Sequence, residues 1–241
     1  MRFNLRAMPP PLPSALIERA VNVETATLGH MSFIGFPDGA IAAISPMRTA
    51  GTAVTLALPG PDSAVLHHAC GFVRAGDVVV IDRLGDRRHA CVGGGVARAL
   101  KQRGCAGVVI DGPATDLDEI RAEGLGVWCR GTAATTTTAL AFGGYLNVDI
   151  CCGGAVVHPG DLIIADMSGV AVVPAAESAQ TVAQALERQD RADATMIALS
   201  EGRALGELSG ATARLRAMPA PAPAPTVMPA EASNSGRGPR Q

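Results

Sequence analysis

Short apolar runs, each stopped by glycine, proline or aspartate, set the rhythm of this chain. Residues 51–58 (Gly-Thr-Ala-Val-Thr-Leu-Ala-Leu) predict a buried strand ended by Pro59-Gly60. Residues 76–82 and 106–111 predict two more, with helical spacing over 96–104 between them. Shorter strands are predicted at 126–130, 148–152, 155–157, 162–166 and 169–173. Helices are predicted at 15–22, 25–30, 63–72, 116–122 and 176–199, with Ser14 capping the first. Residues 31–46 carry Gly35, Pro37 and Gly39 and predict a loop. Residues 9–13 (Pro-Pro-Pro-Leu-Pro) predict a stiff extended leader. Beyond Met218 the chain is rich in Pro and Ala, then in Ser, Gly and Arg, which predicts a disordered tail. The pattern predicts a layered α/β fold: a leader and helix over 1–20, a main domain over 21–215 and a tail over 216–241.

The run Gly93-Gly94-Gly95 opens the central helix, and Asp116 follows beyond the next strand. Glycines at a helix N-terminus leave backbone N–H groups bare, and these can hold an anion. An aspartate at the end of the following turn could stand beside that anion with a metal ion. The three glycines equally suit close packing of a helix on a strand. Asp116 equally suits an N-cap for a helix starting at Leu117. Arg87, Arg88 and His89 precede the glycine run, at the mouth of any pocket it lines or in a solvated basic turn. His89 has the chemistry of a general acid or base near neutral pH. Asp82 and Asp111 end strands, and His67 and His68 fall on a helix where structural or surface roles are common. Glu187 and Asp190 sit on the last long helix, where only an interface would bring them to a site. The threonine run 135–138 shows no catalytic geometry.

Composition narrows the function classes. The chain is 48% hydrophobic, enough for a substantial core, and only 3% aromatic, so Val, Ile, Leu and Ala must build that core. Scarce aromatics argue against base-stacking platforms, and a net charge of −2 gives no general pull toward nucleic acid or anionic lipid. No apolar run reaches the length of a membrane span, and the first residues carry no apolar signal region. Six cysteines form no C-x-x-C pair, so buried free thiols in a cytoplasmic protein are expected rather than a zinc site or disulfides.

Residues 21–210 resemble the RraA-like family, which includes the class II 4-hydroxy-4-methyl-2-oxoglutarate/4-carboxy-4-hydroxy-2-oxoadipate aldolases and the regulators of ribonuclease E. Four passages carry the likeness. They are Gly51-Thr52-Ala53-Val54-Thr55; residues 75–82 (Ala-Gly-Asp-Val-Val-Val-Ile-Asp); Gly93-Gly94-Gly95-Val96-Ala97 through residues 107–112; and residues 152–166, from Cys-Gly-Gly-Ala to Ile-Ala-Asp. The resemblance implies a ββα sandwich of the swivelling-domain type, a homotrimer or hexamer with sites between subunits, and a small carboxylate as partner. It implies a lyase, an aldolase or decarboxylase, acting on a 2-oxo acid through a pyruvate enolate, with magnesium or manganese drawing charge from the 2-oxo group.

Carried onto this sequence, the resemblance makes Asp116 the metal ligand and catalytic residue. It makes Gly93, Gly94, Gly95, Val96 and Thr115 the substrate-binding residues. Arg88 and His89 complete the expected catalytic set. The chain departs from the aldolases at three places. Thr115 stands where they have an arginine, Gly94 where they have an acidic residue, and no aspartate lies near 26–29. Threonine supplies neither the charge nor the fork of a guanidinium. Losing such a contact costs about 2–4 kcal/mol of transition-state binding, roughly a hundredfold or more in rate. Arg87, Arg88 or Arg130 would have to approach from another direction. Two other readings therefore stand beside the lyase: an enzyme with a different reaction on a small carboxylate, and a non-catalytic regulatory protein.

Overall fold

A computed structural model of the chain describes residues 2–218. It divides into two compact units, Met1–Asp193 and Ala194–Gln241. In chain order the first unit holds β1 (Phe3–Leu5), α1 (Ser14–Ala20), α2 (Thr25–Gly29), β2 (Ala42–Ala43), β3 (Thr49–Ala57), α3 (Ala64–Ala69), β4 (Asp77–Asp82) and α4 (Gly94–Gln102). It continues with β5 (Gly107–Ile110), α5 (Leu117–Glu123), β6 (Gly126–Cys129), β7 (Gly144–Leu146), β8 (Ile150–Cys152), β9 (Ala155–Val157), β10 (Leu162–Asp166) and β11 (Gly169–Val173). The long helix α6 (Ser178–Ser200) begins in it. The second unit holds the end of α6 and two short helices, α7 (Leu205–Leu208) and α8 (Ala211–Arg216). The expected tail at 216–241 begins inside the end of α8, and its remainder from 219 lies outside the described residues.

The centre is four parallel strands in sequence order, β3-β4-β5-β6, linked by α3, α4 and α5. Period-two alternation divides their side chains between two faces. Val54, Leu56, Val79, Ile81, Val108 and Ile110 point into the core beneath the three helices. Ala53, Ala57, Val78, Val80 and Val109 join Trp128 and the β8-β9 hairpin on the other face. These strands are buried on both sides, which is why the sequence shows them as continuous apolar runs rather than alternating ones. A third core joins α1, α2 and the start of α6 to β10 and β11. The result is a mixed α/β fold, as expected, and its main sheet has nine strands.

Three local expectations change. Ser14 does not cap α1: Pro13 takes the N-cap position, with no side-chain cap. Helix α4 begins at Gly94 rather than 96, so the glycine run is its first turn and not a loop before it. Strands β1, β2 and β7 were not predicted, and β2 pairs with β6 from inside the predicted loop 31–46. Strands this short carry too little periodicity to stand out, and β1 lies in the stretch before the proline-rich leader. It pairs in parallel with β7, while β7 pairs with the end of β3.

Candidate active site

The site lies where parallel sheets commonly hold ligands, beyond the carboxyl ends of β4 and β5. Beyond β4 the chain runs through residues 83–93 into α4, and beyond β5 through 111–116 into α5. Isolated bridges tie Val92 to Ala114, Ala114 to Thr132 and Ala90 to Thr136, so three loops form one floor. Thr115 N–H donates to Val92 O at 2.9 Å and fixes the turn just before Asp116.

Asp116 occupies the N-cap position of α5 but does not cap it. Its backbone is left-handed, with φ 51° and ψ 46°, a conformation that costs a non-glycine residue about 1–3 kcal/mol. This twist turns the carboxylate away from its own helix and toward α4. There Gly94 N–H donates to Asp116 Oδ2 at 3.2 Å, and Thr115 Oγ1 donates to Oδ1 at 3.2 Å. The expected meeting of the glycine run with Asp116 therefore occurs, with the aspartate itself accepting one of the amides.

The three glycines are not equivalent. A methyl group at Gly93 would sit 2.9 Å from Thr115 Cγ2, and one at Gly94 would sit 2.8 Å from Glu119 Cβ. Those two positions are glycine because α4 starts tight against the α5 turn. At Gly95 an added methyl meets nothing within 4 Å. Packing does not require glycine there, and the space in front of it is open.

That space is a cavity of about 440 Å³. The first turns of α4 give Gly93, Gly95, Val96 and Ala99, and the α5 turn gives Thr115 and Asp116. Ala90 and Cys91 line the approach to α4, α3 contributes His67 and Cys70, and Thr136 and Thr137 close another side. Five of the predicted site residues thus share one cavity: Gly93, Gly95, Val96, Thr115 and Asp116. Gly94 is buried beside it under Glu119.

Arg88 and His89 do not line this cavity. Arg88 is exposed, and its N–H donates to Asp86 Oδ1. His89 Nδ1 lies 2.8 Å from Asp86 Oδ2, and that carboxylate also meets the fully buried Arg83 guanidinium at 3.3 Å. The other arginines proposed as substitutes are committed. Arg87 Nη1 donates to Asp111 O and pairs with Asp111 Oδ1 at 3.0 Å. Arg130 holds Asp111 through Nε and Asp38 at 2.8 Å through Nη1. Burial alone would raise the Asp111 carboxyl, but Arg130, the Gly153 N–H and Arg87 together hold it below the usual carboxylate range.

Sequence reasoning missed His67, Thr136 and Thr137 as lining residues. Their partners in the cavity lie far off along the chain, and a threonine run or a helix histidine carries no motif. The cysteines follow expectation only in part. All six are free thiols, but Cys151 is exposed and Cys70 only half-buried. Burial pushes the thiols of Cys70 and Cys91 up to about 11, so neither is a ready nucleophile.

Comparison with known proteins places the fold in a family. A family model described as Aldolase/RraA matches residues 26–172. The chain belongs to the RraA-like family. It is 35% identical over 156 residues to a Halalkalibacterium halodurans protein named "putative 4-hydroxy-4-methyl-2-oxoglutarate aldolase", covering 64% of this chain and 73% of that one. An uncharacterised protein from Pseudomonas syringae superposes with a TM-score of 0.72 at 25% identity, covering 84% and 96% of the two chains. Streptomyces coelicolor RraAS2, described as an unusual member of the RNase ES inhibitor RraA protein family, superposes with a TM-score of 0.68 at 25% identity over 79% and 98%. The family thus holds both aldolase-named and inhibitor-named proteins. Among the described residues no helix is long and apolar enough to cross a membrane.

Proposed function

We propose that this RraA-like protein is a carbon–carbon lyase that cleaves or decarboxylates a small 2-oxo acid, leaving pyruvate as its enolate. One observation carries the reading: a strained aspartate, Asp116, delivers its carboxylate to the N-terminus of α4 at the edge of a cavity. Backbone strain at a cavity, away from the packing needs of the core, points to function.

The chain's own groups have defined tasks. The Gly95 and Val96 amides, in the first turn of α4, have no acceptor within the helix and take the substrate's carboxylate. Val96, Ala99 and Cys91 give an apolar wall that keeps water from the reacting carbon. Thr115 steadies Asp116 through its hydroxyl. Among the described residues no group of three or more His, Cys, Asp or Glu side chains could hold a metal ion alone. Magnesium and manganese do not require one, since such ions take one or two carboxylates and fill their other positions with water and substrate oxygens. The exposed Asp116 carboxylate, which lines the cavity, would supply the protein's part of that coordination. When bound, the ion would draw charge from the 2-oxo group as the carbon–carbon bond breaks.

Thr115 in the arginine position favours a second reading, a relative that binds a small acid without turning it over. The test is pyruvate release from oxaloacetate and from 4-hydroxy-4-methyl-2-oxoglutarate, with magnesium, manganese and chelator. Metal-dependent release that is lost in Asp116→Asn supports the lyase. No release from either acid with either metal removes it, and retained binding of pyruvate would then favour the second reading.

A further inference from the structure

A site for a dicarboxylic acid needs positive charge, and this cavity has almost none. Thr115 is neutral. Arg87 and Arg130 are drawn to Asp111. Arg83 is buried and donates to the carbonyls of Leu58 and Gly60. Arg98 pairs with Glu123 at 2.7 Å, and Lys101 donates to Gly124 O at 2.7 Å. Among the described residues lining the cavity, His67 is the one side chain able to carry a positive charge.

Its placement suits a reader of the substrate's far end. The near carboxylate belongs with the Gly95 and Val96 amides of α4. His67 stands on a different element, α3, with Cys70 one turn further along, and Thr136 and Thr137 also line the cavity. The cavity, at about 440 Å³, leaves room beyond a three-carbon acid. Resting on the 2-oxo acid reading above, we propose that His67 receives the second carboxylate of the substrate and sets a preference for dicarboxylic over monocarboxylic 2-oxo acids. A hydrogen bond from an imidazole N–H to an ionised carboxylate is charge-assisted and about twice as strong as one between neutral groups.

The test compares two probes that differ in the distal carboxylate, pyruvate and 2-oxoglutarate, titrated calorimetrically into the full-length protein with magnesium. The wild type is expected to bind 2-oxoglutarate more tightly. His67→Gln should weaken 2-oxoglutarate about tenfold, as expected for a lost charged contact of about 1.4 kcal/mol, and leave pyruvate within about twofold. His67→Arg should restore the preference. His67 is exposed, so an unchanged melting temperature will confirm that both variants fold. Equal weakening of both acids, or no weakening of either, overturns the role of His67 and leaves the lyase reading intact. Failure of the wild type to bind either acid overturns both.

Discussion

Asp111 and Asp116 leave the same strand five residues apart and meet opposite fates. Asp111 is nearly buried, held by Arg87 and Arg130, and it also accepts from Gly153 N–H at 3.0 Å. Asp116 is exposed, and its two hydrogen bonds are long, from an amide and a hydroxyl. One carboxylate has its charge satisfied by the fold, and the other has no cation beside it. The difference shows where this protein keeps free negative charge. Arginines that might have served a substrate are spent on tying the β4, β5 and β6 loops together, while Asp116 stays available.

The sharpest way to break the comparison is to remove the satisfied partner. Asp111→Ala leaves Arg130 largely buried without its main counter-charge and should cost about 3 kcal/mol, read as a lowered midpoint in urea unfolding. Asp116→Gly should do the reverse. It relieves left-handed strain and raises stability by about 1 kcal/mol, yet lowers metal-dependent pyruvate release about a hundredfold. A destabilised Asp116→Gly would mean that the strain is not there.

Smaller effects separate the glycines. Gly95→Ala is expected to stabilise α4 by up to about 1 kcal/mol, because the position is helical and open, while weakening pyruvate binding measured by calorimetry. Gly94→Ala should destabilise instead, since Glu119 must move.

Acid titration gives the gentlest test. Asp111 and Asp62 both have lowered carboxyls in the folded protein. For Asp62, burial works upward and is outweighed by N–H donors, those of Ala64, Phe142, Leu140 and Gly143. A folded value below the unfolded one means stability that is complete above the unfolded carboxylate range, near 4, and is lost as pH falls through the lowered value. Asp62→Asn should flatten that loss between about pH 5 and 2 when unfolding is followed by circular dichroism.

The central strand–helix–strand unit was legible because its signals are local. Residues 51–58, 76–82 and 106–111 are apolar runs between breakers, and β3, β4 and β5 lie on them within two residues. The glycine run and Asp116 were legible as a pair through their spacing around a strand. Arg88 and His89 were expected at the pocket because they are near the glycines in sequence. The turn after β4 instead carries His89 to Asp86, beside the buried Arg83. His67 and the threonines were overlooked for the converse reason, being far in sequence and close in space.

Sequence alone determined the order of the central strands and helices and the chemistry on hand, because each depends on periodicity or residue type within a few positions. Which of those groups share a cavity was decided only in three dimensions. A single left-handed residue aims Asp116 at α4, and bridges such as Ala90 to Thr136 bring distant loops together. Such contacts depend on how loops close and pack, and no local pattern encodes that.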